Sequence, residues 1–349
     1  MEPIIFDTSD GQDLRINMIS PYLKRHFGRK IVKLSLDGGF TCPNRDGTKG
    51  TGGCLFCSES GSGEMASSTA YSAAAKGPVV STASITGALD AQIRLLSDKW
   101  PDAGYIAYFQ SHTNTYADVD YLRSLFESAL EHPEVVGIAI ATRSDCIPDD
   151  VLELLDELNQ KTFLWVELGL QTIHDTTAKA MNLCHTLADY DSAVQRLGSR
   201  GIRVVTHLIL GLPEEDREMM LESVRYVCRD GSNSNSYGSD RPCGCQPTAT
   251  GMSSAHPFGI KLHMLNVVKG SLMETAYPDY VPFETMDDYI DLLIECVENI
   301  PPDITVHRIS GDAPRSILIA PAWSYQKRTI LNEIHRQMRL RNTWQGKAL

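Results

Sequence analysis

Residues 135–170, VVGIAIATRSDCIPDDVLELLDELNQKTFLWVELGL, have the pattern of a strand, a helix and a second strand. The runs VVGIAIAT (135–142) and TFLWVELGL (162–170) are short and almost continuously apolar, as expected for strands that are covered on both faces. Between them, PDDVLELLDELNQ (148–160) repeats apolar residues at helical spacing. A strand, a helix and a strand in this order predict two parallel strands joined by a crossover helix.

The same alternation continues on both sides of this unit, from about residue 30 to residue 320. The other predicted strands are KIVKLSL (30–36), GYIAYFQ (104–110), IRVVTHLIL (202–210) and IKLHMLNVV (260–268). The other predicted helices are SITGALDAQIRLLSDKW (84–100), VDYLRSLFESALEH (119–132), LADYDSAVQRLGSRG (187–201) and REMMLESVRYVCR (217–229). Six strands are two fewer than a complete eight-stranded barrel contains. We therefore predict an α/β fold, a partial (β/α)6 TIM-like barrel with a C-terminal helical extension.

The prediction divides the chain into an N-terminal extension (1–29), the partial barrel (30–320) and a C-terminal basic helical tail (321–349). Two stretches within the barrel, about 59–83 and 230–257, are rich in small and polar residues. Such a composition buries too little apolar surface to offset the entropy of ordering the chain. Both stretches are therefore predicted to be surface insertions.

The composition excludes several classes of protein. Hydrophobic residues make up 42% of the 349 residues, which is enough for a large core, and no apolar run is long enough to predict a membrane span. The acidic N-terminus does not resemble a secretory signal. Nine cysteines without a small-protein disulfide pattern favour a reducing, cytoplasmic location. The formal net charge of -12 argues against general affinity for nucleic acid but not against a local basic patch.

Polar residues follow almost every predicted strand. The first strand is followed by TCPNRDGTKGTGGCLFCS (41–58), the second by QSHTNTY (110–116) and the third by TRSDCIP (142–148). The next three strands end in ELGLQT (167–172), THLILGLPEE (206–215) and VVKGS (267–271). Because the carboxyl ends of parallel strands meet at one rim of a barrel, this layout predicts an active site at that rim. The alternative for any one of these residues is a capping role at the following helix.

The loop 41–58 contains Cys42, Cys54 and Cys57 in a segment that is neither helix nor strand. Three thiolates can hold three irons of a 4Fe–4S cluster and leave the fourth iron open. The alternative is a zinc site completed by a fourth ligand, for which Cys243 or Cys245 is available. Four further cysteines lie in or beside helical patterns and are predicted to be small buried apolar residues: Cys146, Cys184, Cys228 and Cys296.

This loop resembles the cluster loop of the radical S-adenosylmethionine (radical SAM) superfamily, whose usual spacing is CxxxCxxC. Here eleven residues separate Cys42 from Cys54, and two separate Cys54 from Cys57. The wide first gap and the phrase LDGGFTCPNRDGT…GGCLFC resemble the branch that includes the catalytic subunit of Elongator and the bacterial YhcC/YtqA group, over about residues 15–340. The resemblance implies that the cysteines ligate a 4Fe–4S cluster. It also implies that S-adenosylmethionine binds the open iron and is reductively cleaved to a 5′-deoxyadenosyl radical.

Other rim residues match cofactor-binding positions of the superfamily. The segment TNTY (113–116) replaces the usual GGE segment, resembles this branch and implies roles for Asn114 and Thr115. ELGLQT implies that Glu167 and Gln171, four residues apart and so on one face of a strand, contact the ribose or the carboxylate. The remaining implied cofactor-binding residues are Arg143 after the third strand and, in a segment resembling the GxIxGxxE adenine motif, His207, Ile209, Gly211 and Glu214. For each residue taken alone, a capping or core role is the alternative.

Two C-terminal segments have open interpretations. TVHRISGDAP (305–314) resembles a closing segment of the same group, in which His307 and Arg308 reach the cofactor or the substrate; the alternative is a core histidine with a surface arginine. Residues 325–347 carry six basic side chains against Glu333, a net charge of +5. This segment is either a solvated amphipathic helix or a phosphate-binding patch.

The resemblance implies a radical SAM enzyme, with a reductant such as flavodoxin or ferredoxin as its partner. Because relatives in this branch are connected with wobble uridines of transfer RNA, tRNA is the implied substrate. One alternative is a radical SAM enzyme that acts on a small metabolite. The other is a zinc-binding protein without redox chemistry.

Overall fold

Seven parallel strands form the main sheet of the computed structural model, which describes residues 2–6, 13–58, 61, 82–229, 256–311 and 313–349. In chain order the strands are β1 Ile31–Leu36, β2 Gly104–Phe109, β3 Val135–Thr142, β4 Phe163–Gln171, β5 Arg203–Leu210, β6 Gly259–Met264, β7 Val267–Val268, β8 Thr305–Arg308 and β9 Leu318–Ala320. Strands β1 to β6 and then β8 pair in that order, every pair parallel, while β7 and β9 form a separate antiparallel pair. The sheet curls into a half-barrel, so the predicted partial barrel is confirmed. Its seventh strand, β8, was not predicted.

Helices connect the strands. They are α1 Ile19–Phe27, α2 Thr82–Ser97, α3 Val119–Leu130, α4 Asp149–Lys161, α5 Asp175–Ala180, α6 Leu187–Ser199, α7 Arg217–Cys228, α8 Met273–Ala276, α9 Met286–Glu298 and α10 Lys327–Leu340. All five helices predicted between the strands are present, and α10 is the predicted C-terminal helix. The sequence prediction missed α9, although Thr285 and Asp288 at its start form a reciprocal capping box that is readable in the sequence.

The amino-terminal end of the barrel is closed. There α1 packs on β1 and β8, and its buried Ile19 and Leu23 join a cluster with Ile31, Phe163 and Trp165. Because Ile31 and Phe163 begin their strands, this cluster fills the lumen from that end. The opposite, carboxyl-terminal end is left for the loops that follow the strands.

The N-terminal and C-terminal segments pack against each other. The Asn17 N–H donates to Oε1 of the fully buried Gln345 at 2.8 Å, and Nε2 of Gln345 donates to the carbonyl of Ile304 at 2.8 Å. One face of α10 is buried through Ile330 and Ile334. The tail is therefore an amphipathic helix that covers the barrel with its apolar face.

Within the described part of the chain, no helix has both the length and the apolar character needed to cross a membrane. The two predicted insertions, 59–83 and 230–257, lie almost entirely outside the described residues, and so do Cys243 and Cys245.

Candidate functional site

A cavity of about 260 Å³ opens at the carboxyl ends of the strands, with the cysteine loop along one side. The structure brings eight predicted site residues to its wall: Cys42, Cys54, Cys57, Arg143, Glu167, Gln171, His207 and Ile209. Four others do not line it: Asn114, Thr115, Gly211 and Glu214. The barrel rim therefore contains one cavity that joins the cysteines to polar side chains of β4 and β5.

The cysteine loop is built from tight turns. The N–H groups of Arg45 and Asp46 donate to the Cys42 carbonyl at 2.8 and 3.2 Å, and the Cys57 N–H donates to the Cys54 carbonyl at 3.0 Å. These turns leave all three thiols half-buried at the cavity. The adjacent Cys57 thiol and burial raise the pKa of the Cys54 thiol well above its usual value.

Two asparagines fasten this loop to the segment after α5. The fully buried Asn44 donates through Nδ2 to the Asn182 carbonyl and to Cys54 Sγ, the latter at 3.5 Å. In return Asn182 Nδ2 donates to the Gly53 carbonyl at 2.8 Å. A Cβ atom at Gly50 would come within 2.2 Å of Asn44 Oδ1, so the loop needs glycine there. The position of Cys54 thus depends on a residue well outside the cysteine motif.

Replacing Asn44 by alanine is expected to lower the free energy of unfolding by about 1–3 kcal/mol, because it leaves the buried Asn182 carbonyl without this donor. Asn159→Ala, which removes a surface amide bonded to the Gly201 carbonyl at 3.3 Å, serves as the control and should cost less. Urea unfolding of both variants measures the difference. Equal costs would contradict a clamping role for Asn44.

The arrangement of the thiols suits a cluster better than a single ion. A zinc ion needs its ligands about 2.0–2.3 Å away, so its side chains must converge on one point. Among the described residues, no group of three His, Cys, Asp or Glu side chains converges in this way. Three half-buried thiols around a shared cavity fit the corners of a 4Fe–4S cluster, whose fourth iron would face the cavity.

A buried ion pair lies next to the thiols. Arg143 donates from Nε and Nη2 to the two carboxylate oxygens of Asp145 at 2.9 Å each, and from Nη1 to the Leu183 carbonyl at 2.9 Å. Lys49 Nζ contacts Asp145 Oδ2 at 2.6 Å from the other side. Burial would raise the pKa of Asp145, but Arg143 and Lys49 lower it to about 2. Arg143 therefore places a permanent positive charge beside Cys42 and Cys54.

The floor of the cavity is a hydrogen-bonded network centred on the fully buried Glu167. Its Oε2 accepts from the Tyr108 hydroxyl at 2.7 Å and is paired with Lys261 Nζ. The imidazole Nε2 of His207 lies 2.9 Å from the same oxygen, and the Trp165 indole N–H donates to Oε1 at 2.8 Å. Although burial alone would raise it, the pKa of Glu167 is held well below its usual value by Lys261 and His207. Glu167 is therefore an ionised carboxylate that is already fully bonded by protein groups.

Burial and the nearby charge of Lys261 lower the pKa of His207 from 6.5 to about 4. Since the unfolded chain binds this proton more readily than the folded one, the contribution of neutral His207 to stability is complete above about pH 6.5 and is lost as the pH falls towards 4. We expect the urea midpoint to fall between pH 7 and pH 5, and to fall less in His207→Gln. An unchanged pH dependence in the variant would show that His207 is not held neutral.

Two of the residues that do not line the cavity have internal partners. Asn114 is fully buried and donates through Nδ2 to the Ala141 carbonyl at the end of β3, at 2.8 Å. The Thr115 hydroxyl bonds Thr142 and the Cys146 carbonyl. These contacts tie the loop after β2 to the loop after β3, which is a positioning role; the cofactor contacts implied by the resemblance stay predictions.

The adenine-like motif is only partly at the cavity. Gly211, with a φ of 85°, carries a carbonyl that accepts from the Tyr280 hydroxyl at 2.9 Å. A Cβ atom there would lie 2.7 Å from Phe283 and 2.9 Å from Pro282, so a larger residue would strike this neighbouring segment. Glu214 is exposed with a φ of 68°. For both, adenine contact stays a prediction, whereas Ile209 of the same motif lines the cavity.

The sequence analysis missed several cavity residues, namely Tyr108, Lys261 and His263. Lys261 and His263 alternate within an otherwise apolar strand and so share one face, a signal that was readable in the sequence. Of the pair in β8, Arg308 lines the cavity, whereas His307 is buried beside Thr305 and does not.

The prediction of four buried cysteines was wrong at one position. Cys146, Cys228 and Cys296 are buried, and burial raises the pKa of each thiol, of Cys146 and Cys296 to about 12. Cys184 is exposed, because it follows a turn in which both Asn182 and Cys184 itself have positive φ.

Comparison with protein families gives two matches. A model of the radical SAM superfamily matches residues 45–227, and a model of the radical SAM C-terminal domain matches residues 257–339. YtqA of Bacillus subtilis is 42% identical over 334 residues, which are 95% of this chain and 92% of the relative. YhcC of Escherichia coli is 35% identical over 96% of this chain and 95% of the relative.

More distant relatives extend the comparison. A protein of Dehalococcoides mccartyi named tRNA uridine(34) acetyltransferase is 26% identical over 188 residues, which are 53% of this chain and 35% of that protein. Among solved structures, Elp3 of the archaeon Methanocaldococcus infernus, with an N-terminal deletion, superposes with a TM-score of 0.59 at 15% identity, covering 90% of this chain and 64% of that one. At this identity the superposition shows a shared fold.

Proposed function

The chain belongs to the radical SAM superfamily, and on that premise we propose that it modifies a uridine of tRNA, most specifically at the wobble position. A 4Fe–4S cluster and S-adenosylmethionine are the cofactors of this superfamily. When bound, they supply a 5′-deoxyadenosyl radical that can abstract hydrogen from a substrate. Cys42, Cys54 and Cys57 would hold the cluster. The work takes place in the cytoplasm with an electron carrier such as flavodoxin or ferredoxin.

The observation that carries the proposal is the single cavity that the three cysteines share with the barrel floor. Arg143 stabilises negative charge at the cysteines, since its guanidinium is buried beside them. Glu167 fixes the orientation of His207 and Lys261 across three adjacent strands. A substrate atom that enters this cavity would therefore be held close to the cofactor in a site of fixed polarity.

The substrate class rests on the relatives. The D. mccartyi protein acts, by its name, on uridine 34 of tRNA, and it shares with this chain a stretch of 188 residues. A base must leave its stack to reach a radical in a barrel, and an anticodon loop offers bases that are already unpaired. The net charge of -12 would keep non-specific binding low and restrict RNA contact to local basic groups.

The basic tail supports this proposal only in part. Arg336 pairs with Glu333 on the same helix, and Arg341 pairs with Asp291 of α9. Such exposed pairs are worth about 0–1 kcal/mol, so a phosphate can compete for them. We retain the tail as an auxiliary RNA contact.

Neutralising Arg336, Arg339 and Arg341 together is expected to weaken tRNA binding and to flatten its salt dependence by about three phosphates' worth, each roughly 0.7–0.9 in slope. Binding titrations at several salt concentrations measure this. A triple variant that binds like the parent at every salt concentration would reduce the tail to a solvated helix.

Nucleoside analysis of total tRNA tests the function itself. A strain that lacks the gene should lose or accumulate one wobble-uridine nucleoside by mass spectrometry, and a plasmid copy should restore the parent profile. A plasmid copy with Cys42, Cys54 and Cys57 replaced by alanine is the matched control and should not restore it. An unchanged set of wobble nucleosides in the deletion strain would favour the alternative, a small-metabolite substrate.

A further inference from the structure

A second cavity, of about 690 Å³, lies beside the cysteine loop. Its wall includes Pro43, the residue after the first cysteine of the motif, together with parts of the loops after β2 and β3 and of α6. The buried pair Arg143–Asp145 separates the two cavities, since Arg143 lines the first and Asp145 lines the second. A ligand in the second cavity would therefore lie close to, but outside, the site already described.

The second cavity contains a buried hydroxyl with nothing to bond. Ser144 is only 5% exposed, and its Oγ has no hydrogen-bond partner among the described residues. A buried polar group without a partner costs about 1–3 kcal/mol, and native proteins rarely leave one without a reason. A ligand that accepts a hydrogen bond in the cavity would supply the missing partner.

Cationic groups stand around the same space. The Lys49 side chain is 42% exposed and uses one printed contact, to Asp145, of the three hydrogens on its ammonium. Arg196 donates from Nη1 to the Ile147 carbonyl at 2.7 Å and pairs through Nη2 with Asp149. Both side chains line the cavity and can donate further hydrogen bonds to an anion.

The start of α4 adds to this positive potential. The helix has 13 residues, and its N-cap, Pro148, makes no side-chain capping bond. Its first N–H groups therefore lack the capping acceptor that most helices have, and the N-terminus of a helix attracts anions. Pro148 and the preceding Ile147 both line the cavity.

The carboxylates near the cavity have their own partners. Asp145 is held between Arg143 and Lys49. Asp189 accepts from the N–H and the hydroxyl of Thr186 in the capping box of α6. The donors of Lys49, Arg196 and Ser144 are thus the groups best placed to meet a ligand.

We propose that the second cavity binds a phosphate group. Resting on the proposed function, this phosphate belongs to the RNA backbone next to the uridine that enters the first cavity. The Tyr116 ring lies at the same wall, with its hydroxyl 2.9 Å from that of Thr48, and offers an aromatic face for a neighbouring base. A phosphate held here would fix the register of the RNA relative to the cysteine loop.

The test is binding of a fluorescent anticodon stem-loop RNA to the reconstituted, full-length protein. Arg196→Gln should weaken binding roughly tenfold and lower the salt slope by about 0.7–0.9, because one charged phosphate contact is lost. Arg200→Gln removes the same charge four residues along, at a residue that pairs with Asp156 and does not line the cavity, and should bind nearly as the parent does. Ser144→Ala should also weaken binding while leaving the urea midpoint unchanged, since its hydroxyl has no described partner to lose.

Inorganic phosphate and uridine monophosphate distinguish the two sources of such a group. Both should compete with the stem-loop RNA on the parent, and more weakly on Arg196→Gln. Equal weakening by Arg196→Gln and Arg200→Gln would overturn the site. Binding of the monophosphate that depends on Arg196, with RNA affinity independent of it, would overturn the RNA assignment in favour of a free nucleotide. A deletion strain with unchanged wobble nucleosides would refute the proposed function and leave the phosphate measurements standing.

Discussion

Replacing Cys54 by alanine is expected to abolish the 4Fe–4S cluster and, with it, all cleavage of S-adenosylmethionine. Cys54 lies in the cavity wall between Asn44 and Cys57, so its loss would remove one of only three thiolates available in this loop. Iron and sulfide content and the electron paramagnetic resonance of the dithionite-reduced protein measure the first effect. Chromatography of 5′-deoxyadenosine measures the second, which should fall below detection.

Cys184→Ser is the matched control for this result. Its thiol is exposed, lies next to the same loop and makes only a weak contact, 3.4 Å long, with Asn182 Oδ1. This variant should keep a full cluster and parent activity. A Cys54→Ala protein with a normal cluster and normal activity would show that Cys54 is not a ligand.

Replacing Lys261 by methionine is expected to lower the free energy of unfolding by about 3–5 kcal/mol, because it leaves the carboxylate of Glu167 buried without its ammonium partner. This is a large part of the 5–15 kcal/mol that stabilises a typical domain. Urea unfolding of parent and variant, both in the same cluster state, measures the loss. Adding Glu167→Gln to the variant should recover part of it, since the second substitution removes the unpaired charge.

Lys161→Met is the matched control for the buried pair. Lys161 pairs with Glu127 at 3.2 Å on the surface, where a salt bridge is worth about 0–1 kcal/mol. Equal destabilisation by the two lysine substitutions would contradict a charged network at the barrel floor, and so would a double variant less stable than Lys261→Met alone.

The local pattern of the sequence was enough to predict most of the framework. β2 is buried at every position, and its run of apolar residues shows this directly. Helices such as α6 begin at a capping box that can be read from Thr186 and Asp189. By contrast, β8 has only four residues, two of them His307 and Arg308, so neither its length nor its composition distinguishes it from a loop.

The site was less predictable, because its contacts join distant parts of the chain. The three cysteines could be identified from spacing, but the residue that positions Cys54, Asn44, is itself held by Asn182, 138 residues away. Glu167 was correctly placed at the cavity, yet its partners Tyr108 and Lys261 lie 59 and 94 residues away in sequence. No local pattern predicts such pairings, which arise only when the sheet curls.

The central claim, a radical enzyme that acts on tRNA, is tested most directly by one measurement. Reconstituted, reduced protein is incubated anaerobically with S-adenosylmethionine, with and without tRNA from a strain that lacks the gene, and 5′-deoxyadenosine is followed over time. We predict slow formation without RNA and faster formation with that tRNA, but not with tRNA whose wobble uridines are replaced by cytidines. Formation at the same rate under all three conditions would contradict a tRNA substrate, and no 5′-deoxyadenosine under any of them would contradict the enzyme itself.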